Sequence, residues 1–485
     1  MAAPKSSFRH SKNAGLVDSA SHILHDGKLN TNYPTRSLQF LEHAAAADDD
    51  PVPPPPATCP LDVLVVGAGI GGLAAATALR LRGHAVAVVE QAPELAEVGA
   101  GVQVPPNATR LLRRWGVAPL LAPRCVRPEA SVFRRWADSS AVGRVGLMPA
   151  VGEWFGAPYW VVHRADYQRA LYERAVGLGV EVVFGQRVVG IDEARGAVRV
   201  EGGGEWVADL VVAADGIHSE GRKAVLKDRD QPPVLTGLAA YRATIPAEKI
   251  KEDPDTAWML DRYIQNGWLG DARHVVTYTI AGGEAVNVVL IHPEPSDPST
   301  WKQETAISDM KREFEGWDYR VTKLISLIDK TLKWPLMAGQ ALDHWVSESS
   351  RVVIMGDAAH AMLPFMSQGA AQAVEDGGSL ATLVSSISSR SELPTALRIF
   401  EQLRIPRTAQ MQQASFVNGR IFHFRDGPEQ RARDAAMRDE VEHKHYLQSP
   451  NGLSDPTTQI WCYGHDAEEE ARKAWEREME TSARL

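Results

Sequence analysis

The stretch Gly67-Ala68-Gly69-Ile70-Gly71-Gly72 constrains this chain more than any other feature, because it lies between the β-branched run Leu61–Val66 and the small apolar run Leu73–Arg82. The patterning predicts a strand over Leu61–Val66, a helix over Leu73–Arg82 and a second strand over Ala85–Glu90, which together form a βαβ opening. In that setting the glycines have separate tasks. Gly67 permits a tight turn, Gly69 lets backbone approach a pyrophosphate, and Gly72 lets the helix pack closely on the strand. The start of the helix offers unpaired N–H groups and a positive dipole end to phosphate. Glu90, at the end of the second strand, can accept the hydroxyl hydrogens of an adenosine ribose. The motif marks a dinucleotide without choosing between one kind and another. Asp62 is the only charge in Leu61–Leu79, as in a membrane span, but the glycines and the β-branched first part fit a buried strand, turn and helix better.

The remainder of the chain divides by composition. Residues 1–60 are rich in Ser, Asn, His and Ala and end in Asp48-Asp49-Asp50 and a proline cluster, a mixture that cannot build a core. They read as a disordered extension. Its basic Lys5, Arg9 and Lys12 leave mitochondrial import as an alternative to a cytoplasmic location. Lys and Arg number 52 against 61 Asp and Glu, a net charge of −9 with no basic block, which gives no electrostatic footprint for nucleic acid. Three cysteines far apart build neither a disulfide framework nor a zinc site, which points to a reducing compartment. His443 and His445 flank Lys444 among many charges and read as a solvated helix face; no metal site is expected.

Further strands are predicted near Val180–Phe184, Val198–Val200 and Asp209–Ala213. From Gly237 to about Leu290 the chain is rich in Tyr, Trp, Val and Thr, with turn signals at Asn266-Gly267 and Gly282-Gly283, and reads as a mostly antiparallel sheet. Asp309–Thr331 reads as helical, Arg351–Met355 as a returning buried strand and Gly369–Ser386 as a helix of small residues. A nucleotide-binding fold is thus interrupted by a β-rich insert and then resumed.

Two more motifs follow predicted strands. Asp215-Gly216, with His218, Ser219 and Arg222 after it, follows Asp209–Ala214; Gly356-Asp357-Ala358-Ala359-His360, with Pro364 and Gly369-Ala370-Ala371 after it, follows Arg351–Met355. With the glycine run, these resemble in order and spacing the three motifs of the single-component FAD-dependent aromatic hydroxylases. The resemblance covers about residues 61–475 and is strongest to fungal salicylate hydroxylase-like monooxygenases, through Gly99–Arg114, Gly356–Asp376 and the tail Tyr463–Trp475 with Asp466-Ala467-Glu468. Read singly, Asp215-Gly216 could be a turn, Asp357 a helix cap, and His360 a satisfied buried histidine, the reading preferred for it.

The resemblance implies an α/β fold in which a Rossmann-like FAD-binding domain (residues 61–231 and 345–430) carries an inserted β-sheet substrate domain (232–344) and a helical tail (431–485). It implies FAD as cofactor, held by Gly67, Gly69, Gly72, Glu90, Gly101, Arg164, Asp215, Asp357, Gly369 and Ala370. A helix start at Gly369-Ala370 would stabilise negative charge on a reduced flavin. It further implies NAD(P)H as reductant, O2 as co-substrate and hydroxylation of a small phenolic, salicylate-like ring. Arg242 and Tyr278 are its catalytic candidates: the first binds a carboxylate or stabilises a phenolate, the second hydrogen-bonds the substrate hydroxyl. The structural alternative is that Arg242 pairs within the fold and Tyr278 packs in the sheet. Two departures stand out. Gly221 replaces a usual small apolar residue, which is expected to loosen the following helix, and Thr277 replaces a histidine frequent in salicylate-type relatives. Competing functions are a tailoring hydroxylase of a fungal polyketide or other secondary metabolite, a flavin reductase, an NAD-dependent dehydrogenase and a non-catalytic flavoprotein.

Overall fold

The computed structural model describes residues 54–95 and 100–483, together with a short antiparallel ladder between Leu24–His25 and Lys28–Leu29. The rest of residues 1–53, where most of the expected extension falls, and Gly99 lie outside the described residues.

Five short strands form a parallel sheet in the order Val352–Ile354, Leu210–Ala213, Asp62–Val66, Ala85–Val89, Glu181–Val183. Their near-continuous Val and Leu content follows from burial on both faces. Helix α1 (Ile70–Leu81) packs against α2 (Gly369–Ser385), which brings the first motif and the resumed half of the fold together. The contact is close: a Cβ on Gly377 of α2 would lie 2.9 Å from the backbone nitrogen of Ala75.

The second sheet has seven strands in the order Leu332–Ala338, Val234–Pro246, Ala285–Pro293, Arg273–Ile280, Ile264–Gly270, Ala130–Arg135, Ala141–Gly146. It reaches beyond residues 232–344: the last two strands come from the first half of the chain, and Ala130–Arg135 pairs in parallel with Ile264–Gly270. Tyr241, Ala243, Val275, Val288 and Leu290 on one face pack against the helices Ala306–Glu313 and Tyr319–Ser326. The helix expected over Asp309–Thr331 is therefore two. Asp318 accepts a hydrogen bond from the backbone N–H of Arg320 and caps the second.

Asn266-Gly267, expected at a turn, lies inside the strand Ile264–Gly270. Gly267 serves close approach there, since a Cβ would come within 3.2 Å of the Phe133 ring on the neighbouring strand, and Asn266 accepts from the Nε of Arg134 at 2.9 Å. The turn falls instead at Asp271-Ala272, whereas Gly282-Gly283 does join two strands. His443 and His445 are exposed on the turn after the short helix Arg438–Val441, not on a helix face. Among the described residues no helix is long and apolar enough to cross a membrane.

His84 sits buried where α1 meets the sheet. Its Nδ1 accepts from the backbone N–H of Leu61 at 3.1 Å, and its Nε2 lies 2.9 Å from Ser385 Oγ. Burial, reinforced by the adjacent Arg82, lowers its pKa from 6.5 to about 4. The unfolded chain thus binds the extra proton first. The stability contributed by neutral His84 is present above pH 6.5 and lost as pH falls toward 4. Urea midpoints should decline over that window, and less so in His84→Asn, which keeps an acceptor without a proton to gain. Equal slopes for the two proteins would remove His84 as a cause.

Candidate functional site

The glycine turn is built as the sequence requires. Gly67 has φ +101°, and a Cβ on it would meet the carbonyl oxygen of Ala214 at 2.6 Å; on Gly72 a Cβ would meet the Gly67 oxygen at 2.0 Å. At Gly69, which caps α1, nothing lies within 4 Å of an added Cβ. The first turn of α1 carries no acidic side chain of its own, and its first N–H groups have no side-chain cap. Glu90 is anchored beside it: its carboxylate accepts from the N–H of Ala68 at 2.7 Å and of Ala92 at 2.8 Å, and each oxygen retains a second lone pair.

A cavity of about 1240 Å³ runs from Glu90 to the seven-stranded sheet; none of Gly67–Gly72 lines it. Glu90, Arg164, Asp357 and Arg242 all line it, so four of the residues singled out in the sequence converge on one space. Asp357 stands exposed there at the start of a short helix, after Gly356 with φ +60°. Gly369 and Ala370 begin α2, whose first N–H groups lack a side-chain cap; a Cβ on Gly369 would lie 3.7 Å from Met362, which is on the cavity wall.

Asp215 is not among the residues that line the cavity. Its carboxylate accepts from Ser219 Oγ and from the N–H groups of Glu220 (2.7 Å) and Gly221 (3.1 Å), so it caps the helix Glu220–Leu226 while Gly216 lines the cavity. Nor does Gly221 loosen that helix. A Cβ there would lie 2.1 Å from the Ala213 Cβ, so glycine is what allows helix and strand to meet.

Arg242 and Tyr278 share a sheet face. Register puts Arg242 opposite Val289, Val289 opposite Val276 and Asn287 opposite Tyr278, and alternation turns all of these to one side. Arg242 has no hydrogen-bond partner at its buried Nε. Its pKa is lowered, first by burial and then by the charge of Arg164, with Tyr278 opposing. Burial raises the pKa of Tyr278 well above the usual phenol range against the pull of Arg242. Tyr278 also touches the cofactor side, since a Cβ on Gly101 would meet its ring at 2.5 Å, and the Gly101 N–H donates to Asn287 Oδ1 at 2.7 Å. Gln168 escaped the sequence reading. It lies one turn after Arg164, lines the cavity and donates to the Ala68 oxygen at 2.7 Å; helical spacing from Arg164 was the available clue.

Behind the cavity lies a buried charge network. Asp376 accepts from the Gly356 N–H at 3.0 Å, from His360 Nε2 at 2.6 Å and from Arg404 Nε at 2.8 Å. Burial alone would raise its pKa, but the charges of His360 and Arg404 hold it below the usual carboxylate range. His360 is thus a structural partner on one nitrogen, with Nδ1 unpaired. The tail residues are structural too: Asp466 pairs with Arg114 at 2.5 Å, Glu468 pairs with Arg82 at 2.8 Å, and neither lines the cavity.

These features fit FAD: a helix start with open space beside Gly69 for the pyrophosphate, a carboxylate for the ribose, a second acid farther along the cavity, and an uncapped second helix start next to the cavity-lining Met362. The comparisons agree. A family model described as FAD binding domain matches residues 60–415. The chain is 37% identical over 410 residues to the FAD-dependent monooxygenase OpS4 of Beauveria bassiana, covering 84% of this chain and 96% of that protein. It is 36% identical over 413 residues to 3-amino-4-hydroxybenzoate 2-monooxygenase of Streptomyces cremeus, with the same coverage of 84% and 96%. Among solved structures, a salicylate hydroxylase substrate complex superposes with TM-score 0.69 at 26% identity, covering 86% of this chain and 98% of that one. The chain belongs to the FAD-dependent monooxygenases built on this FAD binding domain, the aromatic hydroxylase family.

Proposed function

We propose that the chain hydroxylates a phenolic ring held between Arg242 and Tyr278, with NAD(P)H and O2 as co-substrates. The observation that carries this reading is the guanidinium of Arg242, which lines the cavity with its buried Nε unpartnered. A buried donor without a partner is costly, and an anionic ligand satisfies it. Bound FAD, reduced by NAD(P)H, supplies the activated oxygen. Arg242 stabilises the phenolate, whose electrons enrich the ortho and para ring carbons. Tyr278, kept protonated by burial, donates to the same oxygen and orients the ring. The sheet and the Gly101 strand close water out behind it. Glu90, Arg164, Asp357 and the two helix starts hold the cofactor, with Gly216 as backbone wall; Asp215 acts by fixing that wall.

A salicylate-like substrate would place its carboxylate on Arg242 instead, and hydroxylation at the carboxyl-bearing carbon would release CO2 and leave a catechol. Named relatives act on hydroxybenzoates, among them the 3-amino-4-hydroxybenzoate 2-monooxygenase above. The test is a screen of phenols and phenolic acids for stimulated NAD(P)H oxidation, with the product identified by mass. Arg242→Ala should lower kcat/KM by about 10- to 100-fold, the worth of a charge-assisted hydrogen bond, and keep full flavin. Tyr278→Phe should slow turnover or divert NAD(P)H to hydrogen peroxide. An Arg242→Ala enzyme with unchanged kinetics would rule out this site. We place the activity in the cytoplasm, on the scattered thiols.

A further inference from the structure

The edge strand Leu332–Ala338 carries an apolar stripe that the fold leaves partly uncovered. Register sets Trp334 opposite Ala240 and Leu332 opposite Arg242, so these side chains lie on the face that carries Arg242. At its inner end Leu336, 5% exposed, packs with Ala240, Leu363 and Phe365. Moving outward, Trp334 is 39% and Leu332 48% exposed, yet both line the same cavity as Arg242. Met362 and Pro364 stand among the other lining residues, and charge returns in Glu304, Asp329 and Lys330. Large apolar side chains on a sheet edge are a liability that proteins ordinarily cover or replace with charge. Here the stripe is anchored to the site, since Thr331 Oγ1 donates to the backbone oxygen of Arg242 at 3.1 Å.

We propose that Trp334 and Leu332 form an apolar subsite, and that the substrate is a phenol bearing an extended apolar substituent: the phenolic oxygen goes to Arg242 and the substituent lies along the edge strand. The inference rests on the reading of Arg242 as the phenolate partner. The stripe is continuous with the site, because Arg242, Leu332, Trp334 and Leu336 line one cavity.

The test compares resorcinol with 5-pentylresorcinol, which differ only in the alkyl chain. On the holoenzyme, 5-pentylresorcinol should be favoured in kcat/KM by about tenfold or more. Trp334→Ala and Leu332→Ala should each reduce that ratio severalfold, and the double variant should bring it near unity, with the FAD dissociation constant unchanged. Both residues are already partly exposed, so the variants should fold, which a thermal melt verifies. A ratio near unity in the parent enzyme, or one unmoved by the substitutions, overturns the subsite. So does a loss of FAD affinity in step with the ratio, which would mean that the stripe covers the flavin. Perturbation of flavin absorbance on titration separates the two readings. Tighter binding of the pentyl compound without any NAD(P)H oxidation would keep the subsite and remove the proposed reaction, whereas equal binding of the two compounds would remove the subsite alone.

Discussion

Gly69→Val should yield a folded protein that carries no flavin. Gly69 has φ −69° and ψ 177°, a conformation open to any residue, and an added Cβ finds nothing within 4 Å. The chain thus has no internal reason to require glycine there, beyond about 1 kcal/mol for a β-branched residue at a helix cap. On the proposed cofactor placement the reason lies outside the chain: the open space beside Gly69 would receive the pyrophosphate. A valine would fill it. The variant should elute like the parent, melt within a few degrees of flavin-stripped parent, and lose FAD affinity by roughly 100-fold or more, the order of two strong hydrogen bonds. Gly72→Ala makes the contrast: its Cβ would lie 2.0 Å from the Gly67 oxygen, so the fold itself should weaken. A Gly69→Val protein that purifies yellow with stoichiometric FAD would refute the cofactor site.

The second large effect is expected at Arg404, which none of the motifs contains. It is 1% exposed and makes four contacts: Nε to Asp376 at 2.8 Å, one terminal nitrogen to Glu375 at 2.6 Å, the other to the backbone and side-chain oxygens of Gln372 at 3.2 and 2.8 Å. Arg404→Met keeps the apolar volume but leaves two fully buried carboxylates with one cation fewer. Arg407 still holds Glu375, while Asp376 is left with His360 and the Gly356 N–H. Breaking a buried pair on one side costs about 3–5 kcal/mol, a large part of a typical 5–15 kcal/mol total. The melting temperature should fall by roughly 3–5 °C. FAD should bind less tightly as well, because Asp376 fixes the backbone before Asp357. A variant as stable as the parent would show that helix packing, and not this network, holds the resumed half of the fold.

What the sequence alone determined is what local chemistry can specify. The glycine turn follows from steric demands within six residues, and Glu90 from the length of one helix and one strand. The Gly356-Asp357 turn and the start of α2 follow from a buried strand giving way to small residues. These features identified the nucleotide-binding half and its cofactor class. Where the outcome depended on partners distant in the chain, the same local reading misled. Asn266-Gly267 has turn chemistry, yet Phe133 and Arg134 from far upstream hold it in a strand.

Only the tertiary structure decided the chemistry-bearing end. Arg242 and Tyr278 lie on different strands separated by a third, so whether they face one another depends on register, which a shift of one residue would reverse. Residues 130–146 join the sheet by pairing with a strand more than a hundred positions later, and no local pattern encodes that pairing. The Arg404 network and the uncovered Trp334 stripe arise in the same way. Charge neutralisation and exposure are properties of what surrounds a side chain, and the surroundings are assembled from segments that the linear order keeps apart.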